Sequence, residues 1–372
     1  AEYMGRKGMA QEKNLLAIGI LLASLLVYRI AIESINPVAI PLPLLPLSQA
    51  PLTNPTVLHG SEFIADGKLH GPEDIAYHPV SGFLYATCAD GTIKRLRVNG
   101  SEVEDWAYTG GRPLGIALAG DGGAIVADAY KGLLKISPQG TMKVLSEEAD
   151  GVHFKLTDGV DVAGDGKVYF TDASSKYDLE HSEFDILEGH PNGRLMSFDD
   201  VTGTTTVLLS DLRFPNGVAV SPDQSFVVFC ETPMARCRKH YIRGEKKGVT
   251  ESFVERLPGL PDNIHYDAGR YVIGLPVEYS SLVRFMMRFP LIRKLGLMAK
   301  KYGVKLPGGK NGGVFVVDVE GKPVAHFWDP GMKMITGGAF IGKHLYLSSL
   351  HRSHIVSFDF SNHPAYESLF CD

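Results

Sequence analysis

The chain reads as an all-β protein: a six-bladed β-propeller with an N-terminal membrane-anchor helix and a helical cap insertion. Three observations predict this. One pattern recurs six times, in GPEDIAYHPVSGFLYATC (71–88), GRPLGIALAGDGGAIVAD (111–128), LTDGVDVAGDGKVYFTD (156–172), FPNGVAVSPDQSFVVFCE (214–231), LPDNIHYDAGRYVIGLP (260–276) and ITGGAFIGKHLYLSSL (335–350). Each copy is a short alternating strand, a Gly/Asp/Pro turn and a second strand rich in Val, Phe and Tyr. Third and fourth strands follow in several copies, as in GLLKIS and MKVLSE, and four strands per ~40–50 residues mark a propeller blade. Forty-one Gly and 22 Pro make the chain turn-rich, which favours strands over helices. Finally, 372 residues with 44% hydrophobic and 21% charged content suffice for one large all-β domain.

Residues 1–36 precede that body. Arg6, Lys7 and Lys13 stand before LLAIGILLASLLVYRIAI (15–32), which is apolar except for Arg29. A positive flank before an apolar run keeps the N-terminus cytosolic and sends the rest across the membrane. The uncharged part reaches spanning length when Arg29 snorkels to the interface. VYRIAIES is a poor cleavage site, so an uncleaved signal anchor is expected, with a cleaved signal peptide as the alternative. Either puts the propeller in the secretory pathway: luminal to an endoplasmic reticulum membrane, or in the vacuole. Six prolines in 37–59 predict a semi-extended stalk. Asn99-Gly100-Ser101 is a glycosylation sequon in keeping with that route.

The six units, beginning near Glu73, Leu114, Asp158, Asn216, Asp262 and Gly337, fill residues 60–372 with two insertions. The first, 174–193, is acidic. The second, 277–311, contains a predicted helix over 290–302. Pro290 suits its first turn, and Leu291, Ile292, Leu295, Met298, Ala299 and Tyr302 share one face, with Arg293, Lys294, Lys300 and Lys301 mostly turned away. That helix is expected either as a cap packed on the propeller or as a basic amphipathic face on a bilayer. A net charge of −5 supplies no basic field for nucleic acid. Of the four cysteines, Cys230 and Cys237 are nearest in sequence; they form a disulfide in an oxidising lumen, or remain buried thiols.

The first strand of each blade lines the central channel, so side chains at the six strand entries converge. Glu73, Asp158, Asn216 and Asp262 then meet at the axis, with Asn263 as a further oxygen. Crowded carboxylates repel without a cation, and an all-oxygen set suits Ca²⁺. Against this, Asp and Asn before a strand also cap turns; that is the reading preferred for Asp128, Asp172 and Glu231 at the ends of second strands. No G-x-S-x-G elbow is present. His153 and His265 are the histidines placed to serve as bases, with His265 the candidate catalytic residue.

The motifs GGRPLGIAL, VADAYKGLLKIS, KLTDGVDVAGDGKVYFTDASSKY, FPNGVAVSPDQSFVVFCET, LPGLPDNIHYD and LIRKLGLMAKKYGV together resemble the plant strictosidine synthase-like proteins. That family is similar to adipocyte plasma membrane-associated protein and, more distantly, to paraoxonase and gluconolactonase propellers. The resemblance implies a six-bladed propeller in the secretory pathway. Calcium-dependent lactonase and arylesterase relatives place ligands where this chain has Glu73, Asn216 and Asp262; at the third blade the relatives carry an asparagine where this chain reads Thr157-Asp158. The authentic synthase depends on a glutamate at the entry of its last blade, and here MKMITGGAFIG (332–342) has no carboxylate. The expectation is therefore a calcium-dependent hydrolase of small ester or lactone substrates. A non-catalytic ligand- or partner-binding propeller is the alternative, and strictosidine-type condensation is disfavoured.

Overall fold

A computed structural model of the chain describes residues 18–20, 24–25, 28–29, 34–42, 46–56, 59–98, 102–267, 269–304 and 310–361. Six antiparallel sheets follow the six repeats. The first blade is Ile75–His78, Phe83–Thr87, Thr92–Arg97 and Val103–Tyr108. The next three take their four strands in the same consecutive order. Each inner strand touches the inner strands of the blades before and after it, and the sixth touches the first, so the ring closes. Closure is made by the ends of the chain. Glu62–Ile64 pairs with Ile355–Asp359 as the outer strand of a sixth sheet otherwise built from residues 335–359.

The core lies between blades, and the strand pleat explains it. Successive side chains point to opposite faces of a sheet, and here both faces are covered. Val227 packs with Leu195 and Val218 towards the third blade, while its neighbour Val228 packs with Tyr271 and Phe315 of the fifth. Val126 and Ala127 divide in the same way between the first and third blades. Burial on both faces is why second strands such as FVVFC and VYFT lack polar alternation. Cys230 and Cys237 face each other across adjacent strands of the fourth blade and form a disulfide, and Cys88 is a buried free thiol.

Asp128, Asp172 and Glu231 are structural, as their turn-cap reading requires. Each lies at the end of a second strand and accepts from the backbone just before the first: Asp128 from Arg112 N, Asp172 from Leu156 N, Glu231 from Arg213 N. Asp172 and Glu231 also pair with Arg194 and Arg236 of their third strands.

Three sequence expectations change or fall outside the description. The proline-rich segment is no free stalk. Ile35, Ile40 and Ala50 are buried, Val38 N donates to Glu188 O, and Leu52–Asn54 adds a parallel strand to the fifth blade. Its apolar residues alternate with prolines and find more burial along the propeller than in water. Asn99 and most of the expected anchor lie outside the described residues; among those described, no helix is long and apolar enough to cross a membrane. The acidic insertion folds as a single turn, Leu179–His181, and a helix, Ser182–Glu188. The second insertion forms two helices, Ser281–Arg288 and Pro290–Lys301.

The 290–301 helix packs against the 182–188 helix through Arg293, Leu297 and Met298, of which Met298 alone belongs to the apolar face read from the sequence. Arg293 points inward, 1% exposed, and donates to the carbonyls of Leu187, Glu188 and Val38. Those carbonyls include the open C-terminal end of the 182–188 helix, where a cation is favoured. Leu297 and Met298 accompany it against Ile35, whereas Leu291, Leu295 and Tyr302 remain exposed.

Candidate metal centre on the propeller axis

Each of blades two, three, four and six begins its inner strand with a bulge. Pairing skips between Pro113 and Ile116, Thr157 and Val160, Pro215 and Val218, and Ile335 and Gly337. A bulge bends a strand and re-aims one side chain; here the re-aimed residues are Leu114, Asp158, Asn216 and Thr336. The register therefore puts Thr336, not Gly337, at the sixth position. The following glycine lets the next inner strand approach. A Cβ on Gly159 would stand 2.5 Å from Asn216 O, and one on Gly217 2.5 Å from Ile264 N. The Asn-Gly of the fourth repeat is thus a close-packing device and carries no hairpin turn.

This geometry gathers the predicted column. Glu73, Asp158 and Asp262 each offer a carboxylate oxygen within 4.8 Å of the others, and all three are buried, as is Asn216. Thr336 Oγ donates to Glu73 O at 2.5 Å. Asn263 presents its amide nitrogen to Glu73 Oε1 at 2.9 Å, so it orients that carboxylate as a donor. This leaves Glu73 Oε2 and Asn216 Oδ1 as buried atoms with no hydrogen-bond partner. An unsatisfied buried oxygen is costly, and two beside three clustered carboxyls suit a hard divalent cation taking oxygen ligands. The residues present fit calcium.

The electrostatics agree. Burial, then the neighbouring carboxylates Asp262, Asp74 and Asp158, hold the Glu73 carboxyl well above its ordinary range, against the pull of Arg112. Asp158 is raised in the same way, by burial and then by Asp262 and Asp74. Burial pushes Asp262 up to about 7, with a hydrogen bond from Asn216 opposing. Without a cation the cluster is shifted towards its protonated forms; a cation opposes that shift.

Two contributors escaped the sequence reading. Asp74, one residue beyond Glu73, receives Ile116 N on one oxygen and His265 Nε2 on the other, at 2.6 Å. Burial lowers the basicity of His265, but the Asp74 carboxylate overrides it and the net shift is upward. Arg112 is buried at the second-blade entry, donating to Gly71 O and Pro113 O, and supplies positive charge to a cluster that otherwise has none from the six entries. The acidic doublet in PEDIA and the arginine two residues before Leu114 were the available signals. His153, by contrast, is exposed beside Glu148.

Fold and site together define a six-bladed propeller with a buried cluster of carboxylate and amide oxygens where its inner strands begin. Family models for strictosidine synthase and for the strictosidine synthase-like N-terminal region match residues 158–245 and 53–96. The chain is 53% identical over 321 residues to Protein STRICTOSIDINE SYNTHASE-LIKE 6 of Arabidopsis thaliana, covering 85% of this chain and 86% of that one. It belongs to the strictosidine synthase-like family. It is also 38% identical over 263 residues to human adipocyte plasma membrane-associated protein, covering 64% of this chain and 62% of the relative. Among solved structures, a putative gluconolactonase superposes with a TM-score of 0.58 at 16% identity, covering 84% of this chain and 97% of that one. A calcium-binding regucalcin of Agrobacterium tumefaciens superposes with a TM-score of 0.57 at 16% identity, covering 80% and 92%. These two establish the propeller fold.

Proposed function

We propose that this chain is a calcium-dependent hydrolase of ester or lactone substrates, held in the secretory pathway by its N-terminal segment. One observation carries the reading: the buried Glu73–Asp158–Asp262 cluster with Glu73 Oε2 and Asn216 Oδ1 left unpartnered. Glu73, Asp158, Asn216 and Asp262 would hold the ion. A calcium ion held there would supply Lewis-acid polarisation of a substrate carbonyl and positive charge where negative charge develops. The chain's own residues set that arrangement. Asn263 fixes the rotation of Glu73, leaving Oε2 towards the axis. Asp74 holds His265 through Nε2, so His265 acts as an oriented, charge-stabilised group and not as a free imidazole base. The names of the gluconolactonase and regucalcin neighbours, and of the plasma membrane-associated relative, are in keeping with this reading.

A second reading, a ligand-binding propeller without turnover, is favoured by the 2–7% exposure of the four axial ligands, which leaves little open path to them. A panel of aryl esters and lactones, assayed before chelation, after it and on calcium back-titration, separates the two. The hydrolase reading expects turnover that chelation removes, calcium restores and Asp262→Asn abolishes. Bound calcium with no turnover across the panel supports the second.

A further inference from the structure

We infer that the paired helices of the second insertion form a docking face for an anionic lipid surface. Leu282, Phe285, Phe289, Leu291, Leu295 and Tyr302 are 42–64% exposed. Large apolar side chains gathered this way on a soluble surface mark a place of contact. They are contiguous. The Phe285 and Phe289 rings lie 4.9 Å apart at the junction of the two helices. Leu291, Leu295 and Tyr302 fall within about 40° of one another at ~100° per residue. The inward side of the 290–301 helix is already occupied by Arg293, Leu297 and Met298, so the propeller leaves this outer face uncovered.

Charge selects the occupant. Between Glu278 and Asp318 the chain carries eight Lys and Arg and no acidic residue, although its net charge is −5. Arg284 and Arg288 lie on the first helix, Lys294 and Lys301 on the second. Apolar side chains flanked by cations, on a helix lying flat, suit the headgroup region of an anionic leaflet. Beneath the first helix lies a cavity of about 430 Å³ lined by Phe285, Phe289, Arg284, Arg288, Arg256 and Tyr279. Tyr279 is buried and its hydroxyl has no partner. The cavity lining thus sets three guanidinium groups and a hydroxyl, with the Glu255 carboxylate among them, beside apolar walls.

The test uses the full chain reconstituted in vesicles, so that any N-terminal anchorage is common to every sample. Leu291→Trp reports burial through quenching by bromine on the acyl chains, with the wild-type chain giving the background of Trp106 and Trp328. We expect strong quenching of the introduced indole in phosphatidylserine-containing vesicles and weak quenching in pure phosphatidylcholine. Adding Arg288→Gln should weaken docking about fivefold, the effect of one cation near an anionic surface. Equal quenching in both lipids, or none in either, overturns the proposal. So does protection of the indole from aqueous iodide on pure phosphatidylcholine vesicles, where the face should stand in water: protection independent of protein density means the chain covers the face itself, and density-dependent protection means a second copy does.

Discussion

Replacing Asp262 by asparagine should stabilise the metal-free protein while removing its response to calcium. Burial raises the Asp262 carboxyl from 3.8 to about 7. An acid whose folded value lies above its unfolded value binds more protons when folded, so stability falls as pH rises through the window between them. Here that window runs from about pH 4 to about pH 7. Three units at ~1.4 kcal/mol each give about 4 kcal/mol lost from the calcium-free chain by pH 8. Asparagine keeps the shape without the charge, so the variant should escape this loss. The assay is thermal unfolding at pH 5 and pH 8, in chelator and in calcium. Between pH 5 and pH 8 in chelator, wild type should lose about 3 kcal/mol more stability than Asp262→Asn, and calcium at pH 8 should recover that loss in wild type by binding only the folded state. Asp262→Asn should melt above wild type at pH 8 in chelator and show no calcium shift. A variant that melts below wild type there, or keeps a full calcium shift, refutes the reasoning.

Other outcomes follow from the same packing. Gly217→Ala places a methyl 2.5 Å from Ile264 N and should cost about 1–3 kcal/mol, read by denaturant unfolding. Arg293→Met removes the donor to the Leu187 and Val38 carbonyls and leaves Glu188 O with Val38 N alone; a loss of about 2–4 kcal/mol should appear as faster proteolysis within 281–301, with calcium binding intact. Burial holds His326 down at about 4. Its neutral form therefore favours the fold, and stability should drop as pH falls from about 6.5 towards 4, by about 3 kcal/mol at most; His326→Leu should flatten that limb of the melting curve.

The propeller was legible because every blade repeats one local rule, and the repeats alone set the number of sheets and their order. The axial set was legible for the same reason: position in a repeat, not chemistry, brought Glu73, Asp158, Asn216 and Asp262 together. Counting within the repeat failed at the sixth copy, where two successive glycines, Gly337 and Gly338, obscure that Thr336-Gly337 matches Asp158-Gly159 and Asn216-Gly217. Thr336, one residue before the expected Gly337, takes the sixth entry because the strand slips there. Asp74 and Arg112 were overlooked because they flank the repeated position and act across blades, on His265 and on the carboxylate cluster. The helical insertion shows the limit of periodicity. Apolar spacing left the row of Leu291, Leu295 and Tyr302 either packed on the propeller or turned to a bilayer; the carbonyls at the end of the 182–188 helix draw Arg293 in, which turns that row to the outside.

The axial ion itself is the point to measure. Crystals of the protein grown in calcium, with anomalous diffraction recorded, should show one peak on the propeller axis. It should lie about 2.3–2.6 Å from Glu73 Oε2, Asn216 Oδ1 and oxygens of Asp158 and Asp262. An axis without anomalous signal at saturating calcium, with Glu73 Oε2 and Asn216 Oδ1 bonded instead to water or to each other's neighbours, would contradict the account.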